Sequence, residues 1–280
     1  MSKLRNRLSI FWIEKSIFTI LRVMELARSI KDAENALRDF IEYSLEKNLG
    51  ADWMSKCGVP SARIDLWRER KAQGEVDSVP NKGEERLVYY APFEDLSDLI
   101  SENWIGDFQS AFTERDRLIT FIKILEEYRD PQIHRRELFV YQKHLVLGIT
   151  GEIRAKITAY RSLLEVGKEG YPRIEYIKDS LGNIWVPGKP RRLKTNLTIH
   201  PGTTLEFIVQ ASDPEEKPLE FKIHGQKWET GNILFFEVAD KHVQKQAQIN
   251  ITIRSSRKFH AYPLGYDDRV VFEYQIIPKP

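Results

Sequence analysis

The stretch GKEGYPR, residues 167–173, separates two kinds of hydrophobic pattern in the chain. Upstream of it, apolar residues recur at helical spacing, which is typical of amphipathic helices. Downstream, apolar and polar residues alternate, which is typical of strands with one buried face. Because glycine and proline favour turns, the stretch itself is predicted to be a linker. The sequence therefore predicts a multidomain chain, α then β, with a helical domain at 1–166 and a β domain at 174–280.

The upstream part is predicted to be an all-α helical bundle, because its apolar stripes have the period of a helix. Gly50 is expected to end the second helix, and Ser61 and Thr113 are expected to be N-caps of later ones. Trp53, Trp67 and other aromatic residues of this part are expected in or beside its core. The predicted helices cover residues 4–24, 29–50, 61–73, 92–104, 113–129 and 132–165.

The downstream part is predicted to be an antiparallel β-sandwich of immunoglobulin-like size. Its sequence alternates apolar and polar residues, as in TTLEFIVQA (203–211), AQINITIRS (247–255) and RVVFEYQII (269–277). Turn signals such as DSLGN and DPEEKP separate seven predicted short strands.

Composition limits the possible functions. With 43 basic and 41 acidic residues, the formal net charge is +2, so any RNA contact is expected to be a local basic patch. The single cysteine, Cys57, rules out a disulfide framework and a cysteine zinc site, which fits a reducing, cytoplasmic location. Glu14, Lys15 and Arg22 interrupt the apolar N-terminal segment, so neither a signal peptide nor a membrane span is expected.

The stretch EEYRDPQIHRREL, residues 126–138, contains the candidate catalytic residues of the chain. Asp130 followed by Pro131 is a good helix start, so the long last helix is expected to begin there, with its positive end near His134. Such an end attracts phosphate. Arg129 can form a forked pair of hydrogen bonds with a phosphate, and His134 can exchange protons near neutral pH.

The same stretch has a plain structural interpretation. An Asp-Pro step is common at helix starts, Arg129 can serve the dipole of the preceding helix, and His134 can be an ordinary surface residue. On an unbroken helix, residues five apart point about 140° away from each other. Arg129 and His134 therefore converge only if the Asp-Pro step breaks the helix, or if two chains pool their copies.

The order Arg-Asp-x-x-Ile-His, after one helix and before the last long one, resembles the motif of the HEPN superfamily. Two further stretches resemble its Swt-type branch: LRDFIEYSLEKNLGADWMSKCGVP (37–60) and PFEDLSDLISENWIGDF (92–108). The resemblance covers about residues 30–155. HEPN domains are helical bundles that usually form homodimers through the motif helices, and many are metal-independent endoribonucleases of toxin, antiviral defence or RNA-surveillance systems.

The resemblance implies roles for the motif residues. Arg129 would hold the scissile phosphate, His134 would move a proton, and Asp130 would orient the pair or cap the helix. Cleavage would leave a 2′,3′-cyclic phosphate or its hydrolysis product, with no cofactor or metal. Asp130 stands where the family more often has Asn, and Pro131 lies inside the motif. The alternative is therefore a catalytically inactive HEPN protein that dimerises and binds partners.

Further residues are assigned supporting roles. Arg135 and Arg136 would add substrate-binding charge, and Arg38 would either pair with Glu42 or reach the motif. His144 is expected to be an exposed or partly buried helix residue. In the β domain, turn chemistry is favoured over calcium binding for five acidic residues: Asp213, Glu215, Glu216, Asp267 and Asp268. The expected partners are RNA, a second copy of the chain and a protein that binds the β-sandwich, with no membrane.

Overall fold

The structure of the chain, a computed structural model, describes residues 2–77, 86–129, 138–167 and 170–278, with the backbone alone given for 2–25 and 74–77. In these ranges helices come first and β-sheets follow, so the prediction of α then β structure is confirmed. The last helix ends at Val166 and the first strand begins at Arg173. Asp130, His134, Arg135 and Arg136 lie outside the described residues.

The α-helices of the described ranges differ from the prediction at the N-terminus. The two helices predicted at 4–24 and 29–50 are one helix, because no glycine or proline occurs before Gly50 to break it. Gly50, with φ of +87°, follows the end of this helix as expected. The helices are α1 (Ser2–Leu49), α2 (Ser61–Asp77), α3 (Phe93–Glu102), α4 (Asp107–Phe112), α5 (Arg115–Arg129) and α6 (Val140–Val166).

Three predicted helix starts were wrong. The last long helix, α6, begins at Val140 and not at residue 132, and Phe139 before it is extended. The Phe139 N–H donates to Gln142 Oε1 at 2.9 Å, which satisfies one amide at the helix start. Thr113 has φ of +61° and ends α4 instead of capping α5. Ser61 is the first helical residue of α2, whose first amides bond the carbonyl of Pro60.

The helical region has one hydrophobic core, organised around α1. Phe40 of α1 lies at its centre, with edge-on ring contacts to Phe108 (5.5 Å), Phe112 (6.0 Å) and Tyr160 of α6 (5.7 Å). Trp53 and Trp67 are buried, as predicted for the aromatic residues of this part. Among the described helices, none is both long and apolar enough to cross a bilayer.

The β region has two four-stranded sheets. Apolar side chains from both sheets form one core, in which the Phe207 and Phe272 rings meet at 5.3 Å. In the described residues the strands are β1 (Arg173–Asp179), β2 (Ile184–Trp185), β3 (Arg192–Ile199), β4 (Thr204–Ser212), β5 (Leu219–Ile223), β6 (Ile233–Glu237), β7 (Gln244–Ser255) and β8 (Asp268–Ile276). The strand order is β2-β1-β4-β6 in the first sheet and β3-β8-β7-β5 in the second.

Two details of the predicted β region were wrong. The structure has eight strands in its described part, where seven were predicted, and the strand that was missed is β3, in which polar residues predominate and only Thr195 and Ile199 are buried. The pair β3–β8 is parallel, so the second sheet is mixed and not wholly antiparallel. Strand β3 follows a strand of the other sheet, and no hairpin forces it to run against its neighbour.

Polar contacts attach the β region to the helical region. The Arg154 guanidinium of α6 pairs with Glu175 of β1 at 2.7 Å, and Arg161 donates to the Ile174 carbonyl at 3.1 Å. On the α1 side, Gln210 of β4 donates to Asp32 at 3.4 Å. Because these contacts come from both α1 and α6, they fix one face of the β1–β4 sheet against the helices.

Candidate anion-binding cleft

Arg129 is the only residue of the predicted Arg-Asp-His motif within the described part of the chain. It is the last residue of α5, and its side chain is 51% exposed. Its Nη1 atom lies 3.3 Å from Glu34 Oε1, and its guanidinium lies 5.6 Å from the Phe93 ring. The side chain is thus partly held by protein groups, with half of its surface open to a ligand.

Arg38 of α1 occupies the floor of the same site. Its side chain is 7% exposed, its Nη2 atom lies 2.5 Å from Glu34 Oε1, and it donates to the Ala91 carbonyl at 2.8 Å. The pKa of Arg38 is lowered, mainly by burial and also by the charge of Arg129, while the Glu34 carboxylate acts in the opposite direction. In the described structure, no acceptor meets the buried Nε of Arg38.

The expected pairing of Arg38 with Glu42 is replaced by another arrangement. Arg38 pairs one helical turn in the opposite direction, with Glu34. Glu42 instead lies 3.3 Å from Arg86, which also pairs with Asp39 at 2.6 Å. Since Arg38 is buried, its ion pair is not the surface pair that residue spacing alone suggests.

Arg38 and Arg129 face a cleft of about 580 Å³ between the helical and β regions. Helix α1 supplies one wall, with Lys31 and Glu34, and the floor residue Arg38, and the sheet supplies the opposite wall, with Lys178 of β1 among its residues. The described lining holds four cationic side chains and a single carboxylate, Glu34. Such an excess of positive charge in a concave surface favours anionic ligands.

Part of this cleft could be detected from the sequence. Lys31, Glu34 and Arg38 are spaced three and four residues apart, so they share one face of α1 as a polar line. Lys178 was missed, because its place in the same cleft as Arg129 depends on how the two regions dock, which no local pattern encodes.

Of the five acidic residues weighed for calcium, Asp213, Asp267 and Asp268 accept hydrogen bonds from backbone amides. Asp213 accepts backbone hydrogen bonds from Glu215 (2.9 Å) and Lys217 (3.2 Å), as expected for a turn residue, and pairs with Arg257. In the described ranges, no group of three or more His, Cys, Asp or Glu residues is placed to hold a metal ion. His144 is exposed on α6, in agreement with the prediction.

Comparisons with known proteins add little. No protein-family model matches the chain, and no curated protein matches it. Among solved structures, it is similar to a nucleoside hydrolase-related hypothetical protein from Saccharophagus degradans that is associated with carbohydrate metabolism. The two share 13% identity and a TM-score of 0.25, over 54% of this chain and 32% of that one. The chain thus spans about a third of that protein's length, and so low a TM-score supports no argument about function.

Proposed function

We propose that the chain is a metal-independent endoribonuclease of the HEPN type, acting in a defence or toxin-type system, with the β region as sensor or tether. The observation that carries the proposal is the position of Arg129. This residue is half exposed at the rim of a cleft that also holds Lys31, Arg38 and Lys178. An RNA phosphate needs such a cationic and open setting.

The proposed reaction is an internal transfer at phosphorus. Arg129 binds the non-bridging oxygens and neutralises their charge as it grows in the transition state. His134 takes the proton of the 2′-hydroxyl, and O2′ forms a bond to phosphorus while the bond to O5′ breaks. O5′ leaves with a proton from the imidazolium of a second motif copy or from water, and a 2′,3′-cyclic phosphate remains.

The proposal includes a finer view of the fold. The helical region is taken as a HEPN bundle that forms a homodimer, so that two motif copies line one substrate path. The β region is taken as an immunoglobulin-like sandwich that binds a protein partner. Arg38 is 7% exposed and held by Glu34, so its contribution to substrate is the charge it adds to the cleft floor. Asp130, Arg135 and Arg136 keep the roles that the resemblance implies.

Cleavage of single-stranded RNA in EDTA tests the proposal. Wild type is compared with Arg129→Ala, Arg129→Lys and His134→Ala, and with Arg115→Ala as matched control. Arg115 is also 51% exposed, at the other end of α5, where it pairs with its neighbour Asp116. Loss of the proton-transfer group His134 is expected to lower the rate by about 10²-fold or more. Arg129→Lys should recover little, because lysine lacks the planar fork.

The products and the control decide the outcome. The proposal requires wild type and Arg115→Ala to yield RNA ends with 2′,3′-cyclic phosphate at equal rates. Equal activity in wild type, Arg129→Ala and His134→Ala would assign any cleavage to a contaminant and end the proposal.

A second candidate is a catalytically inactive HEPN protein that pairs and binds partners. The observation in its favour is that Arg129 already has protein partners, Glu34 at 3.3 Å and the Phe93 ring at 5.6 Å. This candidate predicts a stable dimer by sedimentation, no RNA cleavage in any of these variants, and a melting temperature that falls in Arg129→Ala.

A further inference from the structure

The β region contributes a polar wall to the cleft that contains Arg129. Tyr176 and Lys178 of β1 are half-buried, while Ile177 between them is fully buried in the core of the two sheets. Since successive side chains of a strand point to opposite faces, Tyr176 and Lys178 share the face that looks away from that core. Both line the cleft, together with Gln210 of the adjacent strand β4.

This wall is held at a fixed position relative to Arg129. Glu175 precedes Tyr176 in β1 and pairs with Arg154 of α6 at 2.7 Å. The pKa of Arg154 is raised, mainly by the charge of Glu175 and against the effect of burial. Gln210 reaches Asp32 of α1 at 3.4 Å. These partly buried contacts flank the cleft, so the docked regions, and not a flexible tether, determine where Lys178 stands.

Within the described residues, the positive charges of the cleft exceed the negative ones. Lys178 makes no ion pair within the described chain, and the same holds for Lys31 on the opposite wall. Arg38 brings a buried Nε without an acceptor. The single carboxylate in the described lining is Glu34, and it already contacts both Arg38 and Arg129. An anion is the group that this arrangement lacks.

The other residues that line the cleft favour one class of anion, a phosphate that carries a flat, polar group. Tyr176 supplies an aromatic ring, and Asn35 supplies an amide that can donate to and accept from a nucleobase edge, while Tyr89 and Gln210 also contact Arg86 and Asp32, respectively. The volume of about 580 Å³ falls in the usual range for small-ligand sites. Lysine is a common partner for phosphate, which it meets as a point charge.

We propose that the cleft binds a nucleotide unit through both regions, with Lys178 of the β region binding a phosphate beside Arg129. The unit is either a nucleotide of an RNA strand or a free nucleotide, since both offer the same chemistry. For the RNA strand the inference rests on the proposed ribonuclease function, and it makes the β region part of the substrate site and not only a tether.

Binding is measured separately from cleavage. The probes are a fluorescently labelled 2′-O-methyl RNA oligonucleotide, which has no free 2′-hydroxyl to attack phosphorus, and AMP. The variants are Lys178→Ala, Lys178→Arg and, as matched control, Lys194→Ala, an exposed lysine of β3 outside the cleft lining. Circular dichroism confirms that each variant is folded, and anisotropy and calorimetry give Kd for the RNA and for AMP.

Lys178→Ala is expected to weaken binding about tenfold at low salt, while Lys178→Arg and Lys194→Ala bind like wild type. Loss of one phosphate contact should also reduce the slope of log Kd against log salt by about 0.7 for a single strand. A purely structural role would not change that slope. RNA binding without AMP binding identifies a strand as the ligand, and AMP binding that competes with RNA identifies a free nucleotide.

The two proposals fail in different ways. If Lys178 governs binding but wild type cleaves no RNA, the nuclease proposal is lost and the nucleotide site stands. If wild type cleaves RNA while Lys178→Ala keeps the wild-type Kd and salt slope for both probes, the nucleotide site is overturned and the nuclease stands. If the wild-type protein binds neither the RNA nor AMP, the nucleotide site is also overturned.

Discussion

Replacing Glu34 by Gln is predicted to destabilise the helical region. The Glu34 side chain is 5% exposed, and Oε1 lies 2.5 Å from Arg38 Nη2 and 3.3 Å from Arg129 Nη1. The two arginines differ in environment, because the Arg38 side chain is 7% exposed and that of Arg129 is 51% exposed. The substitution keeps the shape of the side chain and removes the charge that both arginines use.

The magnitude follows from the burial of each pair. Removing one partner of a buried ion pair leaves an uncompensated charge and costs about 3–5 kcal/mol, which applies to Arg38. The pair with the half-exposed Arg129 is worth only about 0–1 kcal/mol. The amide oxygen of the introduced glutamine still accepts one hydrogen bond, which returns about 1 kcal/mol. The free energy of unfolding should therefore fall by about 2–5 kcal/mol.

Urea unfolding followed by far-UV circular dichroism, which reports mainly on helices, measures this change. The variants are Glu34→Gln, Arg38→Met, their double mutant and Arg129→Ala. The double mutant should be less destabilised than the sum of the singles, because it leaves no isolated charge, with a coupling of about 1–3 kcal/mol. A loss below about 1 kcal/mol in Glu34→Gln, or equal losses in Arg129→Ala and Arg38→Met, would refute the reasoning.

Two further predictions concern the β region and its junction with α6. Burial raises the pKa of Glu165, but three neighbouring arginines lower it by more, so the net shift is downward. The Glu165 carboxylate should therefore stabilise the fold above its unfolded pKa of about 4.3, and this contribution should be lost as the pH falls below that value. The stability difference between wild type and Glu165→Gln should therefore shrink on acidification, and a difference that grows would contradict this. Tyr274→Phe removes the hydroxyl that donates to buried Asp179 at 2.5 Å, so thermal unfolding should show a loss of about 1–3 kcal/mol, and an unchanged melting temperature would exclude the bond.

The spacing of hydrophobic residues predicted the order of helices and strands well. It did not predict the ends of those helices whose boundaries are set by capping contacts or by helix breakers. The first two predicted helices merge because the sequence around Ser29 contains no helix breaker. The start of α6 was placed at Asp130-Pro131 on capping preference. The observed start at Val140 relies on Gln142 accepting the Phe139 amide, a cap that composition does not signal.

The candidate site shows the same limit for side chains. Spacing was used to pair Arg38 with Glu42, although Glu34 lies one turn away on the other side and is equally within reach. The choice between them depends on Arg86, which comes from a distant part of the chain and takes Asp39 and Glu42 for itself. Residue identity on one helix therefore predicts which pairs are available, and tertiary packing selects among them.

The junction between the two regions has two parts that differ in charge balance. Where α6 meets β1, each carboxylate has an arginine partner: Arg154 pairs with Glu175, and Glu165 pairs with the three arginines Arg161, Arg173 and Arg191. A few residues along the same strand, Lys178 makes no ion pair in the described structure. Unmatched like charges repel each other across a cleft, so a counter-charge placed between them would be stabilising. Among the described residues, these unmatched cations around Arg129 are the feature on which the proposed nucleotide site rests.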